Sequence, residues 1–225
     1  MNINVNDIAY PFKERLTIED WQTLAAYNFN DEKSYPYIIH HVTGAPITEL
    51  VAADTAALQL PVALVLELMD RRTEIKGKHV DKINFGEFVD IDVYINMGLE
   101  KHVRDICNIL LVNTDWADEA LYAVSEYDKY RTYIYRQYRT LFGLDDRNFE
   151  GEVEVDEVDR AAVAKNWYRI IVSLANDDLT KIDEITNQPL KKVLNFMALQ
   201  KENRLEEERK QLQQRRQYDL QTNRR

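Results

Sequence analysis

Apolar residues recur at helical spacing along most of this chain and at strand spacing only near its start. Ile3 and Val5, then Ile8, Tyr10 and Phe12, alternate around Asn6 and Asp7, which predicts a small β-hairpin. "LTIEDW" opens the first helix. Thr17 caps it, Asp20 closes an acidic variant of the capping box, and Trp21, Leu24 and Ala25 supply an i, i+3, i+4 stripe. The helical pattern continues through "SYPYIIHHV", which "TGAP" stops, and through "ITELVAADTAALQLPVALVLELMDRR". Pro61 is expected to open a new turn there, because an interior proline breaks the hydrogen-bond ladder.

"EIKGKHVDKINF" reads as a second extended segment, with Ile75, Val80, Ile83 and Phe85 around Gly77. "GEFVDIDVYINMG" and "LEKHVRDICNILLV" predict two helices parted at Gly98. A long helix then runs from "NTDWADEALY" to a C-cap at Gly143. Residues 144–160, "LDDRNFEGEVEVDEVDR", hold eight acids and two arginines, a local charge of −6 that marks a linker or solvated loop. Beyond it come a helix through "AAVAKNWYRIIVSLAND", a short segment "LTKIDEI", and a last helix with Pro189 in its first turn. The expected fold is mainly α: a helical bundle with a small N-terminal β-hairpin and a long polar C-terminal helix. The expected organisation is a mainly helical domain over 1–143, an acidic linker or loop over 144–160, and C-terminal helices ending in a charged arm over 161–225.

Composition supports long helices, since the 225 residues include only six glycines and five prolines. A net charge of −10 disfavours non-specific attraction to nucleic acid or to an anionic membrane. The lone Cys107 cannot form an internal disulfide, the first residues have no signal-peptide pattern, and the most apolar run, 58–69, is too short to span a membrane. A soluble, cytoplasmic protein is the expectation.

Known catalytic spacings are missing: there is no G-x-S-x-G, no P-loop, no H-E-x-x-H and no paired C-x-x-C. On a helix, His40 and His41 point about 100° apart and do not converge on a metal. Asp90 and Asp92 would share a face only on a strand. The helical spacing of Phe88, Ile91 and Ile95 makes them outward acids instead. Asp115, Asp118 and Glu119 fit a helix N-terminus, where negative charge is favoured, and Cys107 fits a core position. No catalytic residue, cofactor or metal site is assigned.

"YDKYRTYIYRQYRTLFG", 127–143, carries five tyrosines and three arginines, a composition that also suits nucleic-acid surfaces. Helical spacing gathers Tyr127, Tyr130, Ile134, Tyr138 and Leu141 into one stripe, sets Tyr135 and Phe142 on a neighbouring face, and lets Tyr133 widen the band. Arg131, Arg136 and Arg139 edge this zone. A core or protein interface is the reading; nucleic acid is not expected.

From Gln200 onward the chain carries a net +3. Ala198, Leu205 and Leu212 form one heptad row, but the companion positions Lys201, Glu208 and Arg215 are charged, so the helix is too polar to pair well by itself. "RRQYDLQTNRR" sets Tyr218 and Leu220 beside Arg215 and Arg216, which suits docking onto an acidic protein surface.

The succession "LTIEDW", "YIIHHVTGAPITEL", "INFGEFVDIDVYINMG", "YRTYIYRQYRTLF" and "WYRIIVSLANDDLTKIDEITNQPLKKVLNFMALQKE" resembles small proteins from the tail modules of tailed bacteriophages. The last segment is similar to tail assembly chaperones, in which an aromatic-basic helix and a Pro-started helix precede a charged tail. The resemblance implies a non-enzymatic role, binding a tape-measure or hub protein through Leu205, Leu212, Tyr218 and Leu220. The chain is longer than the commonest tail chaperones, which extends the expectation to a baseplate component or baseplate assembly protein. It implies a place in the host bacterial cytoplasm during assembly, or in the virion tail or baseplate. Partners are other tail or baseplate proteins, with no small-molecule substrate and no membrane, and self-association is left open. The alternative is a permanent structural subunit of the virion; the third class is a metal- or nucleic-acid-dependent enzyme.

Overall fold

The computed structural model describes residues 2–5, 8–143 and 160–222, the side chains of residues 160, 161 and 217–222 excepted. The acidic stretch from 144 to 159 therefore lies outside the described residues. The fold is mainly α with a two-stranded antiparallel hairpin at its start. By contact density the chain forms two units, one of residues 1–81 and 91–129, the other of residues 82–90 and 130–225.

In the first unit, β1 (Asn2–Val5) pairs with β2 (Ile8–Pro11) in the register Ile3 to Tyr10 and Val5 to Ile8. The alternation buries Ile3 and Val5 and exposes Asn2 and Asn4, as strand periodicity requires. Helix α1 (Ile18–Ala25) starts on the expected capping box: Thr17 Oγ1 accepts from the Asp20 amide, and Asp20 Oδ2 accepts from the Thr17 amide, both at 3.1 Å. Leu24 is fully buried, Trp21 half-buried and Ala25 exposed.

Helix α2 (Tyr35–Thr43) ends where "TGAP" is expected to stop it, at Gly44, whose φ of 71° makes it a left-handed C-cap. Helix α3 (Ile47–Ala52) leads to α4 (Thr55–Asp70), which packs on α2. The start of α4 is set by Asp54, which caps the Ala56 amide. Pro61 lies inside α4 and opens no new turn. Its ring is buried, and the carbonyl it leaves without an in-helix donor belongs to Ala57, an exposed residue that water can serve.

The second extended segment does not form a strand. Residues 71–79 are irregular, Val80–Lys82 make a 3₁₀ turn, and Phe85 already begins α5 (Phe85–Ile109). Its middle is tied down by Lys78 N, which donates to Leu110 O at 2.6 Å. Gly77 passes so close that an added Cβ would stand 2.5 Å from Val112 Cγ2. Irregular backbone runs where a pattern of widely spaced apolar residues has no strand to pair with.

Helix α5 is broken at Gly98, whose φ of 118° and ψ of 106° are non-helical, so the two expected helices are present within one continuous span. Gly98→Ala is expected to destabilise the protein by about 1–3 kcal/mol, because an L-residue at that φ is strained. The added Cβ would also stand 2.6 Å from Glu100 Oε1. Thermal melts of the two forms measure this, and an unchanged melting temperature would mean the break does not need glycine.

Helix α6 (Ala117–Gln137) is separated by Tyr138 (φ −110°, ψ 38°) from the short α7 (Arg139–Phe142), which Gly143 ends at φ 70°. The first unit includes a core on which the hairpin and α1 to α4 converge, with Ala117 and Leu121 of α6 among its buried members.

In the second unit, α8 (Arg160–Leu174), α9 (Ile182–Thr186) and α10 (Leu190–Thr222) accompany the first residues of α5 and the end of α6. Asn84 and Glu87 cap α5 reciprocally, at 2.8 and 2.9 Å. Just before α10, Phe85 N donates to Gln188 O at 2.9 Å and Asn84 bridges Pro189. Among the described residues, five rings form this unit's aromatic core. Phe85, Phe88 and Phe142 each meet Trp167 edge-on at 6.0 to 6.2 Å, and Tyr135 meets Phe88 at 6.2 Å and Phe142 at 4.5 Å.

Candidate functional site

The aromatic segment is accounted for by packing. In the first unit Tyr127 is fully buried; in the second Ile134 is fully buried and Tyr130, Tyr135, Tyr138 and Leu141 are partly so. Tyr133 does not widen the buried band. It lies about 100° from the stripe's centre and is 44% exposed, with the Lys191 ammonium 5.6 Å above its ring. Arg131 sits 5.0 Å over the Tyr135 ring, the edge position its spacing implies.

The polar groups singled out for chemistry have structural partners instead. In the first unit, His41 Nε2 donates to Asp20 Oδ1 at 3.0 Å, and His40 Nδ1 to the Ala45 carbonyl at 2.7 Å. Asp20 also takes Lys13 Nζ at 2.7 Å. Burial pushes its carboxyl up, but the hydrogen bonds from Lys13 and Thr17 outweigh that and hold it below the ordinary carboxylate range. Asp118 is more than a helix-end charge. Arg15 grips it through Nη2 at 2.6 Å and Nε at 3.2 Å, and Thr73 Oγ1 donates at 2.6 Å.

Cys107 is buried, which pushes its thiol up to about 11 and leaves it protonated and unreactive at neutral pH. Asp90 is exposed as expected, but Asp92 is buried at 2% exposure and is not an outward acid. It follows Phe88 by four residues and so lies on the helix face that Phe88 and Ile91 bury, a relation that the i, i+2 comparison with Asp90 overlooks. Among the described residues no three His, Cys, Asp or Glu side chains are grouped to hold a metal ion, and no helix is long and apolar enough to cross a membrane.

The strongest surface feature is α10. At 33 residues it is about 50 Å long. Its first turns are fixed within the second unit: Leu190, Val193, Leu194 and Met197 are buried, Tyr138 Oη donates to Asn195 Oδ1 at 2.8 Å, and Lys201 Nζ donates to the carbonyls of Thr140 and Leu141 at 2.5 and 3.2 Å. At 100° per residue, Leu194, Leu205 and Leu212 fall within about 20° of one line. Along that line cover runs out: Leu194 is fully buried, Leu205 half-buried and Leu212 52% exposed.

Arg215 and Arg216 are exposed, and the side chains of Tyr218 and Leu220 lie outside those described. Among the described side chains the arm carries the ion pairs Arg204 with Glu208 at 3.5 Å and Lys210 with Glu206 at 3.9 Å, each worth only about 0.3–0.5 kcal/mol. Sequence reasoning missed Phe196 and Leu199, 52% and 55% exposed on the opposite face. Their i, i+3 spacing was a signal, hidden because the same helix turn also supplies buried Val193 and Met197.

Comparison with known protein families, with characterised proteins and with solved structures finds no match.

Proposed function

We propose that the chain is a non-enzymatic assembly protein of tailed bacteriophages, similar to tail assembly chaperones or baseplate assembly proteins, that binds a tape-measure or hub protein through α10. One observation carries the docking part of this reading: the apolar line Leu194, Leu205, Leu212 starts in the core and continues into solvent. A helix that carries apolar positions on past the residues that cover them offers those positions to another surface. Arg215 and Arg216 add positive charge for an acidic partner. The phage assignment rests on the resemblance of the succession of motifs.

The test is co-expression with the tape-measure and hub proteins of the same phage, using the full chain and a form lacking residues 211–225. Loss of co-purification in the shortened form is expected, and equal recovery from both forms would overturn the arm's role. Phe196 and Leu199, exposed opposite the leucine line, favour a second reading, a permanent structural subunit with two covered faces. Mass spectrometry of purified particles separates the two, since an assembly chaperone is absent from them and a subunit is present at fixed stoichiometry.

A further inference from the structure

Within the second unit, α7, α8 and α10 enclose an open groove of about 450 Å³. Its floor is apolar, made by Leu141, Ile170, Leu174 and Met197, and among the described residues its charged lining is cationic: Arg169, Lys201 and Arg204. Lys201 is held in place by the two α7 carbonyls it serves, so its charge is fixed at the groove wall. Arg169 and Arg204 are exposed, and the 3.5 Å contact of Arg204 with Glu208 is a weak solvent-side pair that leaves the guanidinium available.

We infer that this groove is a docking site for an acidic, amphipathic helical segment of a partner protein. From Met197 to Arg204 the groove extends about 10 Å along α10, roughly two helical turns. That length accepts two apolar side chains one turn apart, with carboxylates on either side meeting Arg169 and Arg204. A chain of net charge −10 that concentrates three cations on an apolar floor selects against its own average surface. Among the described residues no aromatic ring lines the groove, which sets it apart from the stacking platforms of single-stranded nucleic-acid sites. The inference rests on the protein-binding reading above but uses different residues, and the form lacking 211–225 keeps the groove whole.

Fluorescence anisotropy of the full chain tests it, with a labelled helical peptide carrying leucines at i and i+4 flanked by glutamates and a twin with lysines in place of the glutamates. The acidic peptide is expected to bind at least tenfold tighter than its twin at low salt. Arg169→Glu combined with Arg204→Glu should weaken it at least tenfold with an unchanged circular dichroism spectrum. Equal binding of the two peptides, or undiminished binding by the double variant, would overturn the inference. So would a tenfold gain in affinity when the acids of residues 144–159 are replaced by amides, which assigns the groove to the chain's own acidic stretch. A dimer in sedimentation equilibrium that the double variant abolishes would assign it to a second copy instead. Loss of tape-measure binding by the arm-shortened form with intact peptide binding, or the reverse, tells the failure of one reading from the failure of the other.

Discussion

Replacing Phe88 by alanine is expected to destabilise the second unit by about 3–5 kcal/mol, the usual cost of deleting a buried phenylalanine. Phe88 is fully buried and meets both Trp167 and Tyr135 edge-on, at 6.0 and 6.2 Å. Such ring pairs contribute about 0.5–1.5 kcal/mol beyond the area they bury. The cavity left behind would face aromatic rings, which cannot close it without moving α6 or α8. Urea unfolding followed by far-ultraviolet circular dichroism and by tryptophan fluorescence measures the loss. Tyr133→Ala, two residues from Tyr135 but 44% exposed, is the control and should stay within about 0.5 kcal/mol. An unchanged midpoint for Phe88→Ala would mean that the five rings are not a core, and would return the tyrosine-rich segment to the surface.

That segment shows how far local pattern reaches. Its periodicity gives the stripe of Tyr127, Ile134 and Tyr138, because helical neighbours are decided by spacing alone. The same holds for the hairpin, the Thr17–Asp20 capping box and the left-handed Gly44 and Gly143, each a short-range device with a local signature. What spacing does not determine is which face another part of the chain will cover. Tyr133 and Asp92 fall elsewhere than expected for a different reason, that the whole stripe has to be counted: Tyr133 stands about 100° from its centre and Asp92 follows buried Phe88 by four residues, while Pro61 is accommodated inside α4, which packs on α2. Ile75 and Gly77 met the criteria for extended structure, yet the neighbouring backbone at Leu110 and Val112 offers one hydrogen bond and no strand. The candidate site divides the same way. Leu205 and Leu212 are legible as a row, whereas the cationic groove joins residues from 141, 169–174 and 197–204 that no local motif connects.

Asp118 is the residue whose loss should be felt most among the polar groups. It is 5% exposed, and through Arg15 and Thr73 it links the segments before α1 and after α4 to the start of α6. Asp118→Ala is expected to cost about 2–3 kcal/mol at neutral pH, the scale of hydrogen bonds to a charged group. The charge has its own signature. Burial pushes the Asp118 carboxyl up, but the hydrogen bonds from Arg15 and Thr73 outweigh it, so the folded value lies below the ordinary 3.8. A lowered folded value means that the unfolded chain binds more protons in acid. The contribution is therefore fully present well above 3.8 and is lost as pH falls through the folded value. Asp20, lowered in the same direction against its own burial by Lys13 and Thr17, adds to the same acid limb.

The stability of the unaltered chain should then fall between about pH 5 and pH 2, and Asp20→Asn with Asp118→Asn should flatten that limb. Asp118→Asn alone should be less stable than the parent at neutral pH, with the gap closing in acid as the parent's carboxyl takes up its proton. Urea midpoints across this pH range, compared between the two forms, decide the matter. A gap that stays constant with pH would show that Asp118 acts through shape and neutral hydrogen bonding, and that the charge on the Arg15 pair contributes nothing to holding the first unit together.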